Sequence, residues 1–405
     1  MTFTDLQLCD TLLDGLDSMG FQQPTPIQEQ VIPHILAGHD LIACAQTGTG
    51  KTAAYLLPIL DLISRQEIEH TSALIISPTR ELALQIDQAF QGFAYFTHGS
   101  SIPVYGGSDG ITFEREKKAL MGGASVVIAT PGRLMSHLNL GYVKFDKLDF
   151  LVLDEADKML DMGFYDDILR IIRMLPAKRQ NLMFSATMPS KIRTLAKQIM
   201  QNPVEVNIAI SKPAAGVTQT AFLVYEKQKT ELVKHILKNR NDSSILIFAS
   251  TKSGVKELEK ELKRQNLHVR AIHSDLTQLE REAVLLSFRN GQTRILVATD
   301  IVSRGIDIDN IGLVMNYDVP GDAEDYVHRV GRTARAASTG EAITFISEND
   351  QRRFSEIEKL IGSEVPKGKL PEGMGEGPVW NPAAAIRRPG GKGQRKGGFR
   401  HKRKH

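Results

Sequence analysis

The sequence predicts an α/β protein of two tandem domains, each a parallel sheet flanked by helices and of the type built around a phosphate-binding loop. Three observations carry that expectation. Short apolar runs alternate with amphipathic stretches in two successive series, which is how buried parallel strands and their crossover helices read. A Gly-rich segment, Ala45-Gln-Thr-Gly-Thr-Gly-Lys51-Thr52, lies between the first run and a helical pattern. A later run, Phe150-Leu-Val-Leu, ends abruptly in Asp154-Glu155-Ala156-Asp157.

In chain order, the first series places strands at Leu41–Cys44, Ala73–Ser77, Val126–Thr130, Phe150–Asp154 and Leu182–Ser185. Residues 53–63, mostly apolar, suit a helix after the Gly-rich segment. The second series places strands at Ile245–Phe248, Val269–His273, Ile295–Thr299, Leu313–Tyr317 and Ala342–Ile346, with helices over Ser253–Gln265 and Gln278–Phe288. Between the series, residues 202–216 contain Pro and Gly in the proportion of a hinge. The expected division is therefore an N-terminal region over 1–29, a first α/β domain over 30–205, a linker over 206–218, a second α/β domain over 219–362 and a tail over 363–405.

At 405 residues and 41% hydrophobic, the chain can bury two cores. Its two cysteines, Cys9 and Cys44, form neither a disulfide framework nor a metal-ligand pattern. No apolar run approaches the roughly 20 residues of a membrane span, and Met1-Thr-Phe-Thr-Asp lacks the layout of a signal peptide. The expectation is a soluble cytoplasmic protein without membrane contact. Residues 387–405 hold nine Lys or Arg and no acid, so the total charge of +3 leaves the rest of the chain net negative. Gly-rich and nearly without apolar residues, this tail cannot build a core and should be disordered, a flexible tether for polyanions.

The chemistry follows from residue types. Gly48 and Gly50 let the backbone of residues 45–50 curl until several N–H groups and a helix N-terminus face one anion, with Gln46, Thr47 and Thr49 completing the loop. Lys51 adds a point charge and Thr52 a hydroxyl for Mg²⁺. Ala45 stands where this loop pattern usually has Gly. Asp154 at a strand tip suits Mg²⁺ held through water, and Glu155 suits the orientation and deprotonation of the water that attacks a γ-phosphate. The second series has no such loop. It offers His328-Arg-Val-Gly-Arg332-Thr-Ala-Arg335, whose Arg332 and Arg335 share a helical face and could stabilise the transferring phosphoryl group from across a cleft. Gly305 and Asp307 would lie at the same cleft, the acid suited to ribose hydroxyls.

Together these segments resemble the DEAD-box ATP-dependent RNA helicases over about Phe3 to Ile346. Besides Asp154-Glu155-Ala156-Asp157, residues Gly20-Phe21 and Pro24-Thr-Pro-Ile-Gln28, with Phe3 upstream, look like the adenine-reading Q motif of that family. The resemblance implies tandem RecA-like domains, ATP and Mg²⁺ as cofactors, Phe21 stacked on the base and Gln28 on its edge. Ser185-Ala-Thr187 resembles the segment that links nucleotide state to RNA work, and implies that Ser185 and Thr187 bridge Asp157 and His328 on closure. Pro78-Thr79-Arg80, Gly106-Gly107 and Thr130-Pro131-Gly132-Arg133 look like the RNA-facing motifs of the first domain. Ser250-Thr251, Gln278 with Arg281, and Thr299-Asp300 look like those of the second. Hydroxyls, backbone amides and guanidiniums of this kind suit phosphate oxygens, so recognition should be almost independent of sequence. One departure is Ala334, where the family commonly has glycine.

The expected activity is RNA-stimulated ATP hydrolysis that closes the two domains on RNA and opens short duplexes or remodels RNA–protein complexes. The same motifs would equally serve an ATP-dependent RNA clamp that unwinds little. The short core with a basic tail looks like the bacterial RhlE-type branch, which implies work on ribosomal precursor particles or with RNA-decay proteins; the chain is expected to be a monomer.

Overall fold

Both expected sheets form; among the described residues each has seven strands and every pairing is parallel. The structure is a computed structural model and describes residues 1–45, 48–66, 70–107, 110–208, 216–238, 240, 242–299, 311–333 and 340–383. The first sheet comprises β1 (Leu41–Cys44), β2 (Ala73–Ile76), β3 (Ser101–Val104), β4 (Val126–Ala129), β5 (Phe150–Leu153), β6 (Gln180–Ser185) and β7 (Val204–Asn207), in the order β3-β4-β2-β5-β6-β1-β7. The second comprises β8 (Val217–Leu223), β9 (Ile245–Phe248), β10 (Val269–Ile272), β11 (Ile295–Ala298), β12 (Leu313–Asn316), β13 (Gly340–Ile346) and β14 (Lys367–Gly368), in the order β10-β11-β9-β12-β13-β8-β14.

The central strands are apolar throughout because both faces are covered. Ala73, Ile75, Val126, Ile128, Phe150 and Val152 face one core, while Leu74, Ile76, Val127, Ala129, Leu151 and Leu153 face another across the sheet. All ten expected strands are present, within two residues at each end. The four that the sequence reading missed lie at or next to sheet edges. β3 carries Pro103, β7 alternates valine with polar residues, and β14 is two residues long, so none has the continuous apolar run of a buried strand.

Two expected boundaries move. The linker of 206–218 overlaps β7 at one end and β8 at the other, because Val204–Asn207 pairs with β1 and Val217–Leu223 with β13; residues 209–215 lie outside the described set. The tail expected from residue 363 has a packed beginning. Lys367–Gly368 pairs with β8, Trp380 sits edge-on to Phe354 at 6.3 Å, and Gln351 donates to the Val379 carbonyl at 2.9 Å. Val365, Leu370 and Trp380 supply apolar surface that the basic segment beyond lacks. The basic tail itself, 387–405, falls outside the described residues. Among the described residues no helix is long and apolar enough to cross a membrane.

Parallel pairing puts all strand C-termini of a sheet at one edge, where ligands of open α/β sheets bind. Since β5, β6 and β1 are neighbours, residues after Leu153, Ser185 and Cys44 meet there.

Candidate nucleotide site and interdomain cleft

The loop after β1 turns on Gly48 (φ +83°) and Gly50 (φ +92°), both in the left-handed region, and leads into the helix Lys51–Gln66. Gly50 has a second reason: an added Cβ would sit 2.5 Å from Gln28 Nε2. Gln28 is almost fully buried. Its Oε1 accepts from Thr25 N at 2.9 Å, closing the N-terminus of the helix Pro26–Leu36, and its Nε2 donates to the Gly50 carbonyl at 3.1 Å. It thus fastens the Q-motif helix to the phosphate loop. Phe21 is partly buried against Phe93, ring centroids 5.4 Å apart, with Phe3 at 6.4 Å. Lys51 is buried and donates to the Ala45 carbonyl at 2.6 Å, which holds its ammonium over the loop. Thr52 follows in the first turn of the same helix, and Thr49 lies in the turn before it. Gln46 and Thr47 lie outside the described residues.

The acids at the tip of β5 have three different environments. Asp154 is fully enclosed; its Oδ2 accepts from the Tyr55 hydroxyl at 2.9 Å and its Oδ1 from Glu155 N at 2.9 Å. Burial pushes its carboxyl up to about 6, against the pull of Lys51. Burial, and then Asp154 itself, pushes the Tyr55 hydroxyl up as well, so it remains a donor. Glu155 has φ +51°, a left-handed conformation uncommon outside glycine and typical of strained functional positions. Its Oε1 meets Lys158 Nζ at 2.5 Å, whereas Oε2 is buried with no partner among the described residues. A buried carboxylate oxygen is costly unless something bonds it, so this atom fits a water or a hydrated cation. The donor set of Thr52, Asp154 and substrate phosphates also fits Mg²⁺, which takes one or two carboxylates and keeps several waters.

Asp157 turns toward β6. Its Oδ2 accepts from Thr187 N (2.9 Å), Thr187 Oγ1 (3.0 Å) and Ala186 N (3.1 Å), while its own N–H donates to Ser185 Oγ at 3.3 Å. Ser185 Oγ in turn donates to the Thr187 carbonyl at 2.7 Å. Opposite stands His328, on the helix Ala323–Val330 of the second domain. Asp157, Lys158, Thr187, Asp322, Asp325 and His328 line a cleft of about 520 Å³ between the domains. Burial, then the positive charges of Lys158 and Lys51, hold the His328 imidazole well below its ordinary 6.5, at about 3, with Asp157 opposing and Arg332 reinforcing. Those charges bring Lys51, Asp157, His328 and Arg332 into one electrostatic neighbourhood. Gly305, Asp307, Ala334 and Arg335 lie outside the described residues.

The residues expected to face RNA follow strand C-termini. Pro78 to Arg80 come after β2, Gly106 and Gly107 after β3, and Thr130 to Arg133 after β4; Ser250 and Thr251 come after β9 and Thr299 after β11. Asp300 is outside the described residues. Thr79 and Thr251 hold equivalent places in the two domains, each capping the next helix by accepting from Leu82 N (3.2 Å) and Gly254 N (3.0 Å). A capping hydroxyl accepts through oxygen and keeps its proton for another acceptor. Ser250 N donates to Asp318 Oδ2 at 2.8 Å. The arginines are engaged rather than open. Arg80 lies over the Tyr105 ring (4.5 Å) and pairs with Glu282 across the cleft (2.8 Å), while Arg281 reaches back to Glu81 (3.6 Å) and Gln278 bridges Glu81 at 3.1 Å. Arg133 pairs with Glu116 at 2.7 Å. Tyr55 and Lys158, which bond Asp154 and Glu155, and the arginine partners Glu116, Glu81 and Glu282, which lie outside the nucleotide pocket, were missed by the sequence reading. Tyr55 had a signal, since it lies one helical turn after Lys51 and shares its face.

A phosphate loop on β1, acids on β5 and a second parallel sheet beside them define the class: two-domain proteins of the P-loop helicase fold. The DEAD/DEAH box helicase profile matches residues 25–195, and the helicase conserved C-terminal domain profile matches 228–337. The chain is 41% identical over 373 residues to ATP-dependent RNA helicase DeaD of Haemophilus influenzae, covering 92% of this chain but only 60% of that protein. It is 40% identical to ATP-dependent RNA helicase CshA of Listeria monocytogenes, over 91% of this chain and 70% of that one. The structure of S. cerevisiae Dbp5 bound to RNA and ADP BeF3 superposes with a TM-score of 0.81 at 32% identity, over 91% of this chain and 95% of that chain. The protein belongs to the DEAD-box ATP-dependent RNA helicases.

Proposed function

We propose that this chain hydrolyses ATP when single-stranded RNA draws its two domains together, and that closure opens short RNA duplexes or remodels RNA–protein complexes. The observation that supports this most is the split of one acid cluster into separate partners. Asp154 is tied to Tyr55 beside the phosphate loop, Glu155 keeps a buried oxygen with no partner among the described residues, and Asp157 is bonded to residues 186–187 at the domain cleft.

Phe21 and Gln28 would receive adenine, the loop amides of residues 45–50 and Lys51 the phosphates, and Asp307, Arg332 and Arg335 would arrive with the second domain. Thr52 and Asp154 would hold Mg²⁺, which neutralises charge on the β- and γ-phosphate oxygens when bound. Glu155 orients the attacking water and takes its proton, and the left-handed backbone at Glu155 fixes that carboxylate before substrate arrives. Asp157 and Thr187 sense closure through His328. ATP and RNA backbone each bridge the domains, so each favours the other's binding. The tail beyond residue 386 would add sequence-independent affinity by releasing counterions.

The deciding assay is ATP turnover and displacement of a short labelled RNA duplex, with RNA and DNA oligomers as activators. RNA stimulation and strand release are expected, and Lys51→Ala should abolish both. Turnover retained by Lys51→Ala would overturn the loop assignment. Turnover without strand release would leave the RNA clamp.

A further inference from the structure

Glu116 is 1% exposed and takes no part in the nucleotide site, yet it is the centre of a polar cluster in the first domain. Its Oε1 accepts from Tyr105 N at 3.2 Å. Its Oε2 accepts from Arg133 Nε at 2.7 Å and His137 Nε2 at 2.9 Å. His137 is fully buried and its Nδ1 meets the Tyr142 hydroxyl. The imidazole thus bridges the carboxylate through Nε2 and the phenol through Nδ1. The Phe113 ring stacks on His137 at 4.3 Å and carries the Arg133 guanidinium on its own face at 4.5 Å.

Burying a carboxylate this deeply is expensive, and a well-packed apolar cluster is commonly as stable as a buried ion pair or more so. Stability alone is thus a poor reason for Glu116. Its partners supply a better one. Tyr105 precedes Gly106-Gly107 and holds Arg80 over its ring at 4.5 Å. Arg133 closes the segment Thr130-Pro131-Gly132-Arg133. Among the described residues nothing lies within 4 Å of where a Cβ would stand at Gly106, Gly107 or Gly132, which leaves room for a ligand beside them. One carboxylate therefore reaches all three RNA-facing segments of the first domain: one by an ion pair, one by a backbone N–H, and the third through the Tyr105 ring.

We infer that Glu116 is a positioning residue for RNA, holding Arg133 and the Tyr105–Gly107 backbone in place for RNA phosphates before RNA arrives. The inference rests on the RNA-dependent activity proposed above. Preorganisation of this kind lowers the ordering cost of binding and acts on affinity rather than on the chemical step.

The test uses the full chain, a short fluorescently labelled single-stranded RNA and RNA-stimulated ATP turnover. Glu116→Gln keeps the size of the side chain and an acceptor for Tyr105 N, but removes the charge that holds Arg133. It should raise the KM for RNA by about tenfold, as expected for losing a charged hydrogen bond, with RNA-saturated kcat within about twofold of the parent. In an Arg133→Ala background the same change should have a smaller effect, because the partner it orients is gone. Glu116→Asp, which keeps the charge, should recover part of the affinity, and it carries the test if Glu116→Gln does not fold. An unchanged KM for RNA, an equal fall in kcat and in ATP affinity, or a full-sized effect in the Arg133→Ala background overturns the inference. Lack of RNA stimulation in the parent would sink the proposed function together with it. A responsive parent matched by Glu116→Gln removes the positioning role alone.

Discussion

Acidification should open the domain cleft, and His328 should account for most of the effect. Within the closed arrangement burial and the charges of Lys158 and Lys51 hold its imidazole at about 3, below the ordinary 6.5. Both lysines belong to the first domain, so separating the domains returns His328 to water and toward its ordinary value. The closed form then binds fewer protons than the open one, and closure weakens as pH falls below 6.5. At about pH 5.5 an ordinary histidine is protonated about 10:1, so closure loses about tenfold, or about 1.4 kcal/mol, relative to about pH 7.5. The assay is energy transfer between dyes on the two domains, titrated with RNA and a non-hydrolysable ATP analogue at both pH values. Asp154, pushed up to about 6, and the nucleotide phosphates titrate in the same window, so the quantity to read is the difference between the parent and His328→Gln. The variant should lose that tenfold step. Equal pH dependence in parent and variant would refute the linkage between His328 and closure.

Three further outcomes follow from the site. Glu155→Gln should bind ATP and RNA with turnover reduced about 10²- to 10⁴-fold, the usual contribution of a general base; parental turnover would show that another group takes the proton. Tyr55→Phe removes the hydroxyl that bonds the enclosed Asp154 and should cost about 1–3 kcal/mol, read as a lowered Tm by calorimetry, so an unshifted Tm would contradict this role. Deleting residues 387–405 should weaken RNA affinity and flatten its salt dependence, since each phosphate contact contributes about 0.7 to the slope for single strands. An unchanged slope would show that the tail does not touch RNA.

How much of this was legible in the sequence varies with the range of the interaction. Buried strands such as Phe150–Leu153 announce themselves because both faces are covered and the whole run must be apolar. Edge strands such as Ser101–Val104 and Val204–Asn207 do not, because one neighbour and partial exposure relax the pattern. The tail boundary was misplaced because Trp380 and Val365, isolated in a polar stretch, acquire meaning only against Phe354 and the helix it belongs to.

The proposed nucleotide chemistry rests on local sequence alone. Ala45 to Thr52 and Asp154 to Asp157 are contiguous segments, and the geometry of a turn or strand tip is local, so residue type and spacing define what they can hold. Tertiary structure decided which partner each group meets. Gln28 binds the Gly50 carbonyl, Arg80 and Arg281 exchange acids across the cleft, and Arg133 answers to Glu116. Burial raises the carboxyl of Asp154 and lowers the imidazole of His328 by opposite routes to the same end, an uncharged form favoured away from water. No periodicity encodes such pairs, because they depend on where distant segments are packed rather than on the neighbours of each residue along the chain.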